Sequence, residues 1–196
     1  MANPRAANDD LTAKARIRNA ALDLYAKFGE DRVSLRAVAT EAGVTLGLVQ
    51  HHFKTKTGLR DAVDQLVVDY FAQAIAEVPD QGGRGKLSAA RDEAVRRMLR
   101  DNPAVVNYVR RSVLDASDDR THLLDVLVEL TQREVTALRD AKLASTRRRE
   151  STQVVAVMVR QMGELLLQPL VDATWDRVAR PGHGAKPRLS VTVEDG

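Results

Sequence analysis

The chain has 196 residues, 44% hydrophobic and 29% charged, which is the balance of a globular protein and excludes collagen-like, mucin-like and wholly disordered readings. It has no cysteine and only three Phe, three Tyr and one Trp, so disulfides, thiolate-bound metals and cysteine nucleophiles drop out and the core must be built from Leu, Val and Ala. The net charge of +3 is uneven: residues 1–60 carry ten Lys/Arg against six Asp/Glu, while the remainder is close to neutral, a pattern that suits a polyanion-binding head on a neutral body.

In chain order, residues 1–10 are polar and aperiodic and read as a flexible arm. Ile17, Ala21, Leu24, Tyr25 and Phe28 form one stripe of a helix that begins near Thr12 and stops at Gly29. Ser34 caps a short second helix with Leu35, Val38, Ala39 and Ala42 on one face, and Gly43 ends it. Thr45 caps a third helix, with Val49 and Phe53 inward and Gln50, His51 and Lys54 elsewhere. A long periodic stretch follows from beyond Thr57 to Pro79, and the glycines of Pro79–Lys86 predict a loop. Further helices are expected over Leu87–Arg100, over Pro103–Ala116 with Asn102 as cap, over Asp119–Lys142, and from Glu150 to about Trp175 with a kink or break at Pro169. The fold class is therefore all-α: a three-helix head over 11–56, a larger helical body over 57–178 and a flexible tail over 179–196.

The stretch Val33 to Lys56 meets the requirements of a helix-turn-helix. Ala39 is small where two helices cross, Gly43 permits a left-handed turn, and Val49 plugs a small core completed by Tyr25, Phe28 and Phe53. The two last helices carry a different message. Leu123, Leu127 and Leu130 lie along one line of the first, and Val155, Val159, Met162, Leu166 and Leu170 belong to an apolar surface that covers most of the second. Helices apolar nearly all round need cover on both sides, so a two-fold homodimer with a four-helix seam is expected, with these eight residues at its interface.

Residues 12–60 resemble the DNA-binding head of the TetR family of bacterial transcriptional regulators. The resemblance rests on Ala20 to Gly29 (AALDLYAKFG), Val38 to Thr45 (VATEAGVT) and His51 to Lys56 (HHFKTK), about a quarter of the chain. Two places depart from the family pattern, Leu46 after the cap and Val49-Gln50-His51 where Leu-Tyr is usual, and both bear on base preference. The resemblance implies that Ser34 and Thr45 hold phosphates at helix starts, that Arg36, Lys54 and Lys56 clamp phosphates, and that Leu46, Gly47, Gln50 and His51 meet base edges. His52 is either a DNA contact or a packed edge beside Phe53.

The family likeness further implies a repressor that binds an inverted-repeat operator in double-stranded DNA as a dimer, is released by a small effector held in the helical body, and acts in the cytoplasm. Candidate effector-binding residues are Tyr70, Gln73, Met98, Asn107, Tyr108, Arg111, His122, Met158, Gln161 and Trp175. The alternative is a DNA-binding module whose body docks a protein partner. No catalytic residue, cofactor or metal site is expected, because adjacent His51 and His52 diverge by about 100° on a helix and no phosphate loop or nucleophile elbow occurs. A membrane role is not expected either: the longest unbroken apolar run is Val154 to Val159, against the roughly 20 residues of a span.

Overall fold

The structure, a computed structural model, describes residues 12–79, 84–114, 122–180 and 182–193. All regular structure among them is helical: α1 (Ala13–Phe28), α2 (Leu35–Glu41), α3 (Leu46–Phe53), α4 (Lys56–Ala76), α5 (Arg84–Asp101), α6 (Pro103–Leu114), α7 (His122–Asp140) and α8 (Glu150–Val178). The N-terminal arm and the ends of the tail lie outside the described residues.

Local chemistry sets the helix ends in the head. The hydroxyls of Thr12, Ser34, Thr45 and Thr55 accept from Ala15, Ala37, Leu48 and Gly58 N–H groups at 3.3, 3.1, 3.2 and 2.9 Å, each satisfying one orphan donor of a first turn. Gly29 closes α1 at φ 82°, and Gly43 takes φ 63° in the turn between α2 and α3, where the Val44 amide donates back to the Ala39 carbonyl at 2.9 Å. A side chain at either glycine would pay the left-handed backbone penalty of about 1–2 kcal/mol.

Packing divides the described residues into two units, 12–79 with 85–114 and 122–127, and 84 with 128–180 and 182–193. The division falls inside α7, and α4 and α6 pack against α1 of the head. In the first unit α1 packs against α2, α4 and α6, and α3 closes on α2 and α4. Ile17, Ala21, Leu22, Val38, Val49, Leu59, Val63 and Leu66 are fully covered there. At about 1.5–3 kcal/mol for each buried Val, Leu or Ile, this shared core stabilises a three-helix head that would be marginal by itself. Phe28 departs from its expected place in that core and stands 45% exposed.

The second unit comprises the rest of α7, α8 and the tail. Leu130, Val135, Val154, Met158 and Leu165 are buried, and the Thr131 hydroxyl donates to Met158 Sδ at 3.2 Å. Helix α8 runs through Pro169 without a break. By length and composition it could cross a membrane, with a window of mean hydropathy 1.4 of which only 17% is buried. Its outer side carries Val155, Val159, Leu167 and Leu170, all exposed.

Two local expectations are corrected. Asn102 does not cap α6 with its side chain; its amide donates backward to the Met98 carbonyl at 2.8 Å, at the end of α5. Residues 186–193 are tied to α8 instead of hanging free. Gln168 accepts from the Leu189 amide at 2.7 Å and donates to the Pro187 carbonyl at 3.2 Å, Lys186 pairs with Asp176 at 2.8 Å, and Val191 lies where a Cβ on Gly163 would intrude.

Candidate nucleic-acid interface and junction cavity

Helix α3 buries Val49 and Phe53 and turns Gly47, Gln50 and His51 outward, all exposed, with Leu46 half-buried at its first turn. A Cβ added to Gly47 would come no closer than 4.0 Å to any neighbour, so this surface is open. Ser34, Arg36, Thr45 and Lys54 are exposed beside it. Lys56 is half-buried, and its ammonium donates to the Asp31 carbonyl at 3.4 Å, which fastens the start of α4 to the loop after α1. His52 is half-buried, edge-on to Phe53 with ring centroids 6.2 Å apart, the arrangement of a packed core edge.

The candidate effector residues scatter. Tyr108 and Arg111 line a cavity of about 510 Å³, and His122 contacts one of its walls. The others do not converge on it. Tyr70 is buried on α4, Gln73 donates at 3.4 Å to Glu77 just past the end of that helix, Met98 is half-buried, and Asn107 is exposed. Met158, Gln161 and Trp175 belong to the second unit, where Trp175 stacks obliquely near His183 at 6.1 Å.

The cavity is built from the end of α1 (Tyr25, Phe28), the following turn (Gly29 to Arg32), α4 (Arg60, Asp64), α6 (Tyr108, Arg111, Ser112, Leu114) and Leu123 of α7. Asp64 organises it. Only 2% exposed, it accepts from the Tyr108 hydroxyl at 2.6 Å and pairs with His122 Nδ1 at 2.9 Å, so one carboxylate ties α4 to α6 and α7. Burial pushes its carboxyl above the usual range, against the downward pull of the bonds to Tyr108 and His122. Asp61, Asp64 and His122 offer ligand atoms within 4.8 Å of one another, but both oxygens of Asp64 are already engaged.

Two further features went unforeseen in the sequence. Arg111 Nε and Nη2 donate to the Ala26 and Lys27 carbonyls at 3.0 and 3.2 Å, capping the C-terminal turn of α1 from α6. Tyr25, 1% exposed and stacked on Tyr108 with centroids 6.4 Å apart, has a buried hydroxyl without a hydrogen-bond partner. Such an orphan costs about 1–3 kcal/mol. Burial drives the Tyr25 and Tyr108 phenols upward, so both remain protonated donors. Asp64 left a trace in the sequence as a lone carboxylate among Leu59, Val63, Leu66 and Val67; the Tyr25 hydroxyl left none.

The expected interface residues separate into two groups. Leu123, Leu127 and Leu130 are 3, 4 and 5% exposed, buried already in the single chain. Val155, Val159 and Leu170 are exposed, and Met162 and Leu166 are half-covered.

Comparison with known proteins places this geometry. Residues 17–63 match the family model for bacterial regulatory proteins of the tetR family. The HTH-type transcriptional regulatory protein RaaS of Mycobacterium tuberculosis is 52% identical over 60 residues, a stretch that spans 31% of this chain and 28% of RaaS. Beyond the head the likeness is one of fold. A transcriptional regulator from Rhodococcus sp. Rha1 superposes with a TM-score of 0.67 at 22% identity, covering 84% of this chain and 87% of the other. A tetR-family regulator from Shewanella sp. PV-4 gives 0.63 at 20% identity, covering 85% and 90%. EbrR, a multidrug binding protein solved with imidazole, gives 0.63 at 23% identity, covering 84% of each. Residues 17–63 thus resemble the head of the tetR-family bacterial regulatory proteins, and the chain shares the fold of solved regulators of that description.

Proposed function

We propose that the protein is a cytoplasmic, homodimeric repressor that binds an inverted-repeat operator and is released by a small molecule. The observation that carries this reading is the outward side of α3, where Gly47, Gln50 and His51 are exposed while Val49 and Phe53 anchor the helix beneath. In this reading Gln50 pairs with an adenine edge, Leu46 meets a thymine methyl, and His51 reaches a neighbouring base. Arg36, Lys54 and Lys56 neutralise phosphates, and the first turns of α2 and α3 at Ser34 and Thr45 present backbone amides to the same strand. His52 supports Phe53 from the side and makes no base contact.

The second copy docks on the apolar side of α8, through Val155, Val159, Met162, Leu166 and Leu170. Burial of that surface accounts for a helix otherwise left largely uncovered, and two-fold pairing presents two reading helices about 34–36 Å apart, one duplex turn. The exposed α8 face also favours a second reading, in which a different protein docks there. Sedimentation of the purified chain, followed by selection from a random DNA pool, separates the two. A dimer that enriches an inverted repeat is expected; a monomer that enriches a single half-site supports the docking reading, and a chain that pelleted with membranes would overturn both.

A further inference from the structure

We infer that Asp61, Asp64 and His122 form a binding site for one divalent transition-metal ion of the zinc class, which clamps the first turn of α7 to α4. The site is separate from the reading side of α3 and stands whether or not the chain binds DNA. Asp61 and Asp64 lie one helical turn apart on α4, and both turn a carboxylate toward the His122 imidazole. Nδ1 is 2.9 Å from Asp64 Oδ2 and 4.0 Å from Asp61 Oδ1, and the three ligand atoms lie within 4.8 Å of one another. Donors held by one ion at about 2.0–2.2 Å stand about 3–4 Å apart, so small side-chain rotations bring all three to it. All three residues belong to the same packing unit.

A hydrogen bond alone accounts for two of these groups. One proton between Nδ1 and Asp64 leaves the Asp61 oxygen beyond hydrogen-bond reach of the ring, although it faces the same nitrogen. An ion at that point serves both carboxylates at once. Both Asp64 oxygens are engaged, but the two engagements differ. The Tyr108 hydroxyl donates to Oδ1 at 2.6 Å and remains as the outer bond that orients a ligating carboxylate. Only the proton between Oδ2 and Nδ1 has to leave for the ion to enter.

Access and room are both present. The side chains of His122 and Asp61 are 38 and 40% exposed, which opens the site to solvent, while Asp64 anchors it from the buried side. Asp64 also lines the cavity of about 510 Å³, which has space for the water ligands that three protein donors leave to be supplied. One imidazole nitrogen with two carboxylate oxygens suits Zn²⁺ and its first-row neighbours, whereas Mg²⁺ and Ca²⁺ favour shells made of oxygen alone. Three protein ligands make an open, exchangeable site instead of a closed four-ligand one. The sequence does not announce it, because the imidazole lies 58 residues beyond Asp64.

The test uses the full chain, stripped of metal by a chelator. It is titrated with ZnCl2, MgCl2 and CaCl2 by calorimetry and with CoCl2 by visible absorption. One Zn²⁺ per chain is expected, with a dissociation constant of about 1 μM or lower and at least about a hundredfold tighter than Mg²⁺ or Ca²⁺. Co²⁺ should give a ligand-field band in the visible. Asp61→Asn removes a half-exposed charge, so in chelator it should melt as the native chain does, yet it should weaken Zn²⁺ by at least about tenfold. His122→Gln should abolish the Co²⁺ band. The double variant His51→Gln, His52→Gln should keep it, which separates this site from the histidines of α3. Zinc should raise the melting temperature of the native chain and of the double variant, and not that of His122→Gln. Failure to bind Zn²⁺, equal affinity for Mg²⁺, undiminished binding by Asp61→Asn, or a Co²⁺ band that survives His122→Gln or disappears with His51 and His52 would overturn the site.

Discussion

Gln50 and Arg36 are both exposed on the head, yet they should fail differently when removed. Gln50→Ala should relax base preference at one operator position and cost about 1–3 kcal/mol there, since a bidentate amide reads one base. Arg36→Ala should weaken binding to every sequence alike and flatten the salt dependence by about one unit, as expected of a phosphate contact. A selected-site profile and a salt titration of each variant check these outcomes. Asp64 invites a test of another kind. Its folded pKa lies above the 3.8 of an unperturbed carboxyl, so the folded state holds its proton more tightly. Its contribution to stability therefore falls as pH rises from 3.8 through the folded value, and the cost is fully present above it. Urea unfolding across this range should show that slope in the native chain and its loss in Asp64→Asn, with the difference between the two proteins isolating the one group.

Between elements, the junction of α1 with α6 is the contact on which head and neighbour depend. Guanidinium bonds to two carbonyls at a helix end combine capping with charge assistance. Arg111→Ala should lower stability by about 1–3 kcal/mol and should speed amide exchange in the last turn of α1 more than in α3. A uniform change of exchange across the head would show that Arg111 acts through global stability alone. The same junction shows where periodicity could not reach. The spacing of Ile17, Ala21, Leu24, Tyr25 and Phe28 predicts one continuous buried stripe, but Phe28 lies beyond the cover of its neighbours and faces the cavity. Asn102 has the right type for a cap, but its amide nitrogen donates to the Met98 carbonyl at the end of α5.

At the scale of the whole molecule, α8 leaves apolar side chains uncovered, with Val155, Val159, Leu167 and Leu170 from 39 to 65% exposed. If a second copy covers it, Val159→Arg should raise the dimer dissociation constant by at least about a hundredfold, by placing an unpaired charge in a buried seam, and should abolish cooperative binding to an inverted repeat while leaving half-site preference intact. Analytical ultracentrifugation and operator titration read the two effects. Division of labour between α7 and α8 is also clear at this scale: the leucine line of α7 is consumed within the chain, which leaves α8 to face outward.

The helices, their Ser and Thr caps, the left-handed glycines and the helix-turn-helix with the exposed side of its third helix were legible from the residues alone, because each depends on neighbours within a few positions along the chain. The resemblance of the head to the tetR family was legible for the same reason. Tertiary structure decided which apolar faces are spent internally, and it joined Tyr25, Asp64, Tyr108, Arg111 and His122 into one junction from four separate helices. Periodicity reports that a face is apolar but not what lies opposite it. A buried hydroxyl or carboxylate acquires its meaning only from partners brought close by folding, which here lie 44, 58 and 85 residues away along the chain.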